Sequence, residues 1–200
     1  MTSEYLNRKT KRLEIRPLEL KDFEAWKNAH LAMSKPKNKW DLGPKPKQHL
    51  TKIEFKKILK QRAGLQKKDH YYSLGVFLKK DGVLIGGVSA MEVSRGISQT
   101  AFLGYNIFNP YWGQGYAKEA VREMFDIAFK DIKLHRLEAG IEPGNIRSIA
   151  LAKALKMRRE GLKKRALFLR NTWVDLWMYT FTCEDVGYKF KTDALKLKLR

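Results

Sequence analysis

Asn109-Pro-Tyr-Trp-Gly-Gln-Gly-Tyr-Ala-Lys-Glu-Ala120 (NPYWGQGYAKEA) stands where a strand-like run hands over to a helix-like one. Leu103 to Phe108 reads as the strand, Pro110 stops it, and Ala117 lies inside the helix that follows. The backbone N–H groups from Gly113 to Ala117 then collect at a helix N-terminus, where unpaired donors carry about half a positive charge. Gly113 and Gly115 lack the Cβ atoms that would hold an anion away. The stretch is either a plain turn or a cradle for a phosphate or pyrophosphate.

Two familiar nucleotide signatures fit it poorly. A P-loop ends in Gly-Lys-Ser/Thr, and here Gly115 is followed by Tyr116 and Ala117. A dinucleotide fingerprint beginning at Gly113 and Gly115 meets Lys118 at its third glycine, and it belongs to a parallel unit near the start of a domain.

Outward from the loop, the chain alternates between sheet and helix signals. Arg12 to Leu18 alternates apolar and charged residues as a half-buried strand does, and Leu20 to Met33 has helical spacing. Lys35 to Lys47 is loop, and Gln48 to Arg62 is a second helix through Leu50, Ile53, Phe55, Ile58 and Leu59. Tyr71 to Lys80 and Val83 to Val93 form a hairpin across Asp81-Gly82, and Ile97 to Phe108 adds a third strand. Ala117 to Ile132 is the best helix, with Ala117, Ala120, Val121, Met124, Ala128 and Ile132 on one face. His135 to Ile141 is a strand, Asn145 is placed to cap a helix, and Leu162 to Phe181 closes the chain as a hairpin near Asn171-Thr172. This order predicts an α/β layer on a mixed sheet.

The composition narrows the class. Two hundred residues with 44% apolar content suffice for one domain with a real core. Neither a signal segment nor a bilayer-spanning run stands out. The one cysteine, Cys183, has no internal disulfide partner, and no Cys/His spacing suggests a metal. A cytoplasmic protein is the simplest reading. The net charge of +20 is uneven: Lys35 to Lys68 carries twelve Lys or Arg against Asp41 and Glu54, and a second basic cluster spans Lys153 to Arg165. Such a field attracts nucleic acid, phosphorylated cofactors or acidic proteins, or is simply a solvated face.

NPYWGQGYAKEA resembles the coenzyme A pyrophosphate loop of the GNAT acetyltransferases, in the branch of the ribosomal-protein N-terminal acetyltransferases (RimJ/RimL type). RLEIRPLELKDFEAW resembles that branch's opening strand and helix, GVLIGGVSAM its central hairpin, HRLEAGIEPGNIRSIALAKAL the second half of its acetyl-CoA site, and NTWVDLWMYTF its closing strand. The resemblance covers residues 10 to 182. It implies one GNAT N-acetyltransferase domain over residues 1–183, with a mostly antiparallel central sheet that splays between its fourth and fifth strands. Residues 184–200 would be a basic tail, partly helical through Ala194 to Arg200.

The same resemblance assigns residues. Trp112, Gly113, Gln114, Gly115, Tyr116 and Ala117 would hold the pyrophosphate of acetyl-CoA, although Trp112 stands where a polar residue is usual. Tyr105, Ile107 and Phe108 would offer backbone partners to the pantetheine arm, and Asn145 would contact that arm or serve only as a cap. Ser148 matches a serine near the coenzyme's sulfur. The tyrosine that many relatives use as general acid is replaced by Ala152, which leaves Glu138 and Glu142 as candidate proton relays. A glutamate of close relatives is Leu167 here, and the usual glycine after the second acetyl-CoA helix is Lys156, followed by Met157. Trp173 reads as core and Asp175 as a hydrogen-bonding anchor for the neighbouring turn.

The implied reaction moves an acetyl group from a thioester to a primary amine, with a protein N-terminus as the leading acceptor. A ribosome or RNA contact through the basic face, and a monomer or homodimer, fit the same reading. A small-molecule amine acetyltransferase and a nucleic-acid-binding module without catalysis are the alternatives.

Overall fold

In a computed structural model that describes residues 6–191, the elements follow the expected order with one short strand added at the start. They are β1 (Arg8–Lys9), β2 (Leu13–Arg16), α1 (Phe23–Leu31), α2 (Lys52–Lys67), β3 (Tyr71–Leu78), β4 (Leu84–Ser94), β5 (Thr100–Ile107), α3 (Tyr116–Asp126), β6 (Arg136–Ile141), α4 (Ile146–Ala154), β7 (Arg158–Leu169) and β8 (Thr172–Thr182). The eight strands lie in the order β1-β2-β3-β4-β5-β6-β8-β7. Pairing is antiparallel at β1–β2, β2–β3, β6–β8 and β7–β8, and parallel at β5–β6. That parallel pairing covers only Thr100–Phe102 against Arg136–Glu138, while β5 runs on to Ile107 and β6 to Ile141. Early loss of pairing is what the resemblance implied for these two strands. The helical segment expected at residues 194–200 lies outside the described residues.

The chain divides into two compact units. The first holds residues up to Ser89 and Tyr105–Met124. Strand β2 buries the alternate residues Leu13 and Ile15, because a two-residue repeat puts them on one face, whereas β3 buries the continuous run Leu74–Leu78. Phe23, Trp26 and Ala29 line the inner face of α1 and meet Phe55 of α2, Phe77 of β3 and Phe108 in one cluster. Arg16 and Asp22 fix the entry to α1 through two parallel bonds of 2.7 and 2.9 Å. Thr51 caps α2 by accepting from Glu54 N–H at 3.2 Å, so Leu50 lies before the helix and Ile53 faces outward. Gly86 marks a close approach: a Cβ there would stand 2.2 Å from the Asn106 carbonyl.

The second unit holds Ala90–Gly104 and everything from Phe125. Phe125 and Phe129 stack with Phe181 of β8, at centroid distances of 4.2 and 6.3 Å. The α-helix expected through Ile132 ends at Asp126, and a π-helical turn follows over Ile127–Asp131. Ile127, Ala128 and Phe129 are all buried, and a 3.6-residue repeat does not turn three consecutive side chains inward; the wider turn does. Trp173 corrects the sequence reading. It is 60% exposed and rests on Phe168, because β6 pairs with β8 only from Trp177 onward and the hairpin tip extends past that contact. Asp175 accepts from Arg165 N–H at 2.8 Å, so it anchors an irregularity within β7 rather than the neighbouring turn.

Candidate active site

Within the first unit the glycine loop is built on braces. Pro110 opens a short 3-10 turn, Asn109–Tyr111, directly after β5. The buried Asn109 accepts from Ser34 N–H at 2.9 Å and donates to Ser34 C=O at 3.0 Å and to Asp41 at 2.9 Å. It thereby fastens the α1–α2 loop to the end of β5. Burial pushes the Asp41 carboxyl up, but the bonds from Asn109, Lys37 N–H and Gly43 N–H outweigh it and hold the group below the usual carboxylate range. Trp112 fills its unexpected place as a second brace, its indole N–H donating to Ile107 C=O at 2.5 Å. Phe108 N–H is bonded to Ile85 C=O at 2.8 Å.

Gly113 and Gly115 then turn the chain at φ of +79° and +78°, a region that side chains with a Cβ rarely occupy. A Cβ at Gly113 would meet nothing within 4 Å, so the inner side of the turn is open. Gly115 C=O accepts from Glu119 N–H at 3.2 Å and so begins α3, which leaves the amides of Tyr116 and Ala117 in its first turn without carbonyls behind them. Arg12 stands beside this turn. Its Nη1 donates to Gln114 C=O at 2.9 Å, its Nε to Glu119 at 2.7 Å, and its guanidinium lies 4.4 Å from the centre of the Tyr116 ring. Thr10 donates to the same carboxylate at 2.5 Å. Burial raises the Glu119 proton affinity, the Thr10 and Arg12 bonds lower it further, and the net shift is downward. An acid in the first turn of α3 is thus matched by a guanidinium and does not cancel the cradle's attraction for anions. The open space at Gly113, the helix amides and an arginine adjacent to Gly115 fit a pyrophosphate. The grouping of Thr10 and Arg12 with Glu119 has no linear signal, since more than a hundred residues separate the first two from the third.

A model of the acetyltransferase (GNAT) domain matches residues 12–158. The chain belongs to the GNAT acetyltransferase family. It is 38% identical over 120 residues to YjcK of Bacillus subtilis, named a probable N-acetyltransferase, covering 60% of this chain and 66% of that one. It is 30% identical over 177 residues to the uncharacterized N-acetyltransferase YnaD of the same organism, covering 88% and 96%. The structure of ribosomal-protein-S5-alanine acetyltransferase from Vibrio fischeri superposes with a TM-score of 0.73 at 25% identity, over 92% of this chain and 98% of the other. The GNAT fold uses acetyl-CoA, and the residues of the cradle fit its pyrophosphate.

The first unit of this GNAT chain also contains a cavity of about 360 Å³. Trp26 and His30 of α1, Lys45 of the α1–α2 loop, Arg62 of α2 and Tyr71 of β3 line it, and so do Tyr105 and Phe108. The His30 ring lies between Trp26 and Phe108 at 5.2 and 5.4 Å. Burial, then the charge of Lys45, lowers its pKa to about 4, so the imidazole is neutral at pH 7.

In the second unit, Asn145 caps α4 by accepting from Ser148 N–H at 3.3 Å, and the Ser148 side chain is half-buried. Glu138 receives Arg136 Nε at 2.7 Å, and that arginine also holds Glu160 and Thr180. Glu142 is buried and bonded by Arg170. Both candidate relays therefore carry guanidinium partners. His135, Cys183 and Glu184 bring three donor atoms within 4.8 Å of one another, a grouping linear spacing does not reveal. Burial, reinforced by Glu184, pushes the Cys183 thiol up to about 11. Among the described residues, no helix is long and apolar enough to cross a membrane.

Proposed function

We propose that this GNAT enzyme transfers the acetyl group of acetyl-CoA to the α-amine of a protein N-terminus, with a ribosomal protein as the type of acceptor, in a ternary complex. The observation that carries this reading is the cavity of the first unit, whose lining includes Lys45 and Arg62 and no Asp or Glu. An amine entering it must be neutral to attack a thioester, and neighbouring positive charge favours the neutral form. An α-amine with a pKa of about 7.7–8.0 is roughly a tenth neutral at pH 7, whereas a lysine near 10.4 is neutral about once in 2,500. A polyamine would bring like charge against Lys45 and Arg62. The acceptor named for the Vibrio fischeri relative, the alanine of protein S5, is of the favoured kind.

The residues divide the work. Gly113 to Ala117, with Arg12 beside them, would hold the pyrophosphate, and Asn145 would hold the pantetheine region in addition to capping α4. The amine lone pair attacks the thioester carbonyl, the C–S bond breaks, and the proton lost by nitrogen ends on sulfur. Ser148 would donate a hydrogen bond to the departing thiolate, a charge-assisted contact of about 1.5–3 kcal/mol. Glu138 and Glu142 already hold arginines, so the reading rests on neither as base.

The test uses a peptide with a free N-terminus and one internal lysine, beside the same peptide with a blocked N-terminus. Thiol release from acetyl-CoA is followed, and tandem mass spectrometry locates the acetyl group. Acetylation of the α-nitrogen alone is expected. Modification of lysine in the blocked peptide, or turnover of small amines with neither peptide, would overturn the assignment.

A further inference from the structure

Among the described residues, the half-buried arginines have hydrogen-bonding or ionic partners with one exception. Arg16 is paired with Asp22, Arg8 with Glu123, and Arg136 with Glu138 and Glu160, while Arg95 donates to Gln99 and to the carbonyls of Ile132 and Lys133. Arg62 of α2 is half-buried and meets no carboxylate among the described residues. Its pKa is lowered by burial, against which only Tyr71 works in the opposite direction. A guanidinium taken partly out of water without an anion is costly, and a bound anion would offset that cost.

Three features of the surroundings agree. Arg62 lines the cavity with Lys45, a second cation. His30 on the same wall is neutral at pH 7 and adds no charge. Ser73, Tyr71 and Asn106 add hydrogen-bonding groups to the lining, which contains no acid to compete for the guanidinium. Two cations, polar groups and an apolar floor of Trp26 and Phe108 suit a short chain that carries a carboxylate and an aliphatic stem.

We infer that this cavity selects acceptor peptides with an aspartate or glutamate in the first residues after the reacting α-amine, the side-chain carboxylate pairing with Arg62 and Lys45. The inference rests on the acceptor class proposed above and names the sequence that such an acceptor carries. A lysine at the same place would meet like charge from both cations, and a neutral residue would leave Arg62 uncompensated.

The experiment compares three peptides that share an N-terminal alanine and differ only at the second and third positions, which are both Glu, both Gln or both Lys. Steady-state kinetics with the full chain and acetyl-CoA are expected to give kcat/KM in the order Glu, Gln, Lys, with about tenfold or more between the first and last, mostly in KM. In Arg62→Gln the Glu-to-Gln ratio should fall to near one, and Arg62→Lys should restore part of it. Melting temperatures of both variants confirm that they are folded. Equal kcat/KM for the three peptides, or a loss in Arg62→Gln that is the same for all of them, would overturn the inference and leave α-amine acetylation standing. Acetylation of none of them by a protein that binds acetyl-CoA would overturn the proposed acceptor class and this inference together.

Discussion

His30 shows how one side chain can tie stability to pH. In the folded chain burial, then Lys45, takes its pKa to about 4, against about 6.5 in an unfolded one. Between these values the unfolded state binds more protons, so stability rises with pH there. The contribution is complete above pH 6.5 and is lost as pH falls toward 4. From pH 7 to pH 5 the loss is about 2 kcal/mol. The groups around the ring leave this sign unchanged: Trp26 and Phe108 are uncharged, and the positive charge of Lys45 opposes protonation. His30→Phe keeps an aromatic ring between Trp26 and Phe108 and removes the titration. Urea unfolding at both pH values should show that the variant loses about 2 kcal/mol less than the wild type between them. Equal losses would mean that His30 does not carry this pH dependence.

At the scale of the element, the end of α4 is informative because it breaks a local rule. Met157 N–H reaches Ala152 C=O at 3.0 Å and Lys156 N–H reaches Lys153 C=O at 2.9 Å, a Schellman closure. The residue between cap and closure must turn left-handed, and Lys156 does so at φ +61°. Glycine is the usual occupant, so Lys156→Gly removes a strain of about 1–2 kcal/mol and adds back unfolded-state entropy of about 0.4–1 kcal/mol. The expected net gain is about 0.5–1 kcal/mol, read as a rise in Tm of about 1–4 °C. Lys156→Val should shift Tm the other way, since a β-branched residue tolerates this backbone least. A lower Tm for Lys156→Gly would show that the lysine side chain holds something the turn needs. The sequence exposed this departure, since Lys156 and Met157 stand where a glycine and an aromatic are usual, and the closure kept its form. Trp173 was legible in period but not in depth: alternation assigns it a face, and only the register of β8 shows that the sheet has ended there. The π turn at Ile127 was hidden for a related reason, because a helical repeat read from sequence assumes a constant pitch.

For the whole molecule, several separate stretches made the fold readable because each carries its own local chemistry in the right order. The cavity proposed for the acceptor was not readable, because its lining is drawn from α1, α2, β3, β4, β5 and a loop. Arg62 is one of twelve basic residues between Lys35 and Lys68, and folding alone distinguishes it from a solvated charge. The proposed cofactor cradle is different, since its donors would be backbone amides of one continuous loop, and that continuity makes a global test decisive. A ligand that binds only the native chain, at about 100 times its Kd, adds about 2.7 kcal/mol of stability. For a chain of this length that is a rise in Tm of about 5–11 °C with acetyl-CoA at fixed salt. Gly115→Glu places a carboxylate in the cradle and a side chain at φ +78°, so it should abolish the shift while lowering the starting Tm. Gly115→Asn separates the two effects, because asparagine accepts the left-handed backbone without adding charge, and most of the shift should survive in it. A full shift in Gly115→Glu would place the pyrophosphate elsewhere on the chain. A shift lost equally in both variants would mean that the absence of a side chain, rather than the field at the start of α3, admits the ligand.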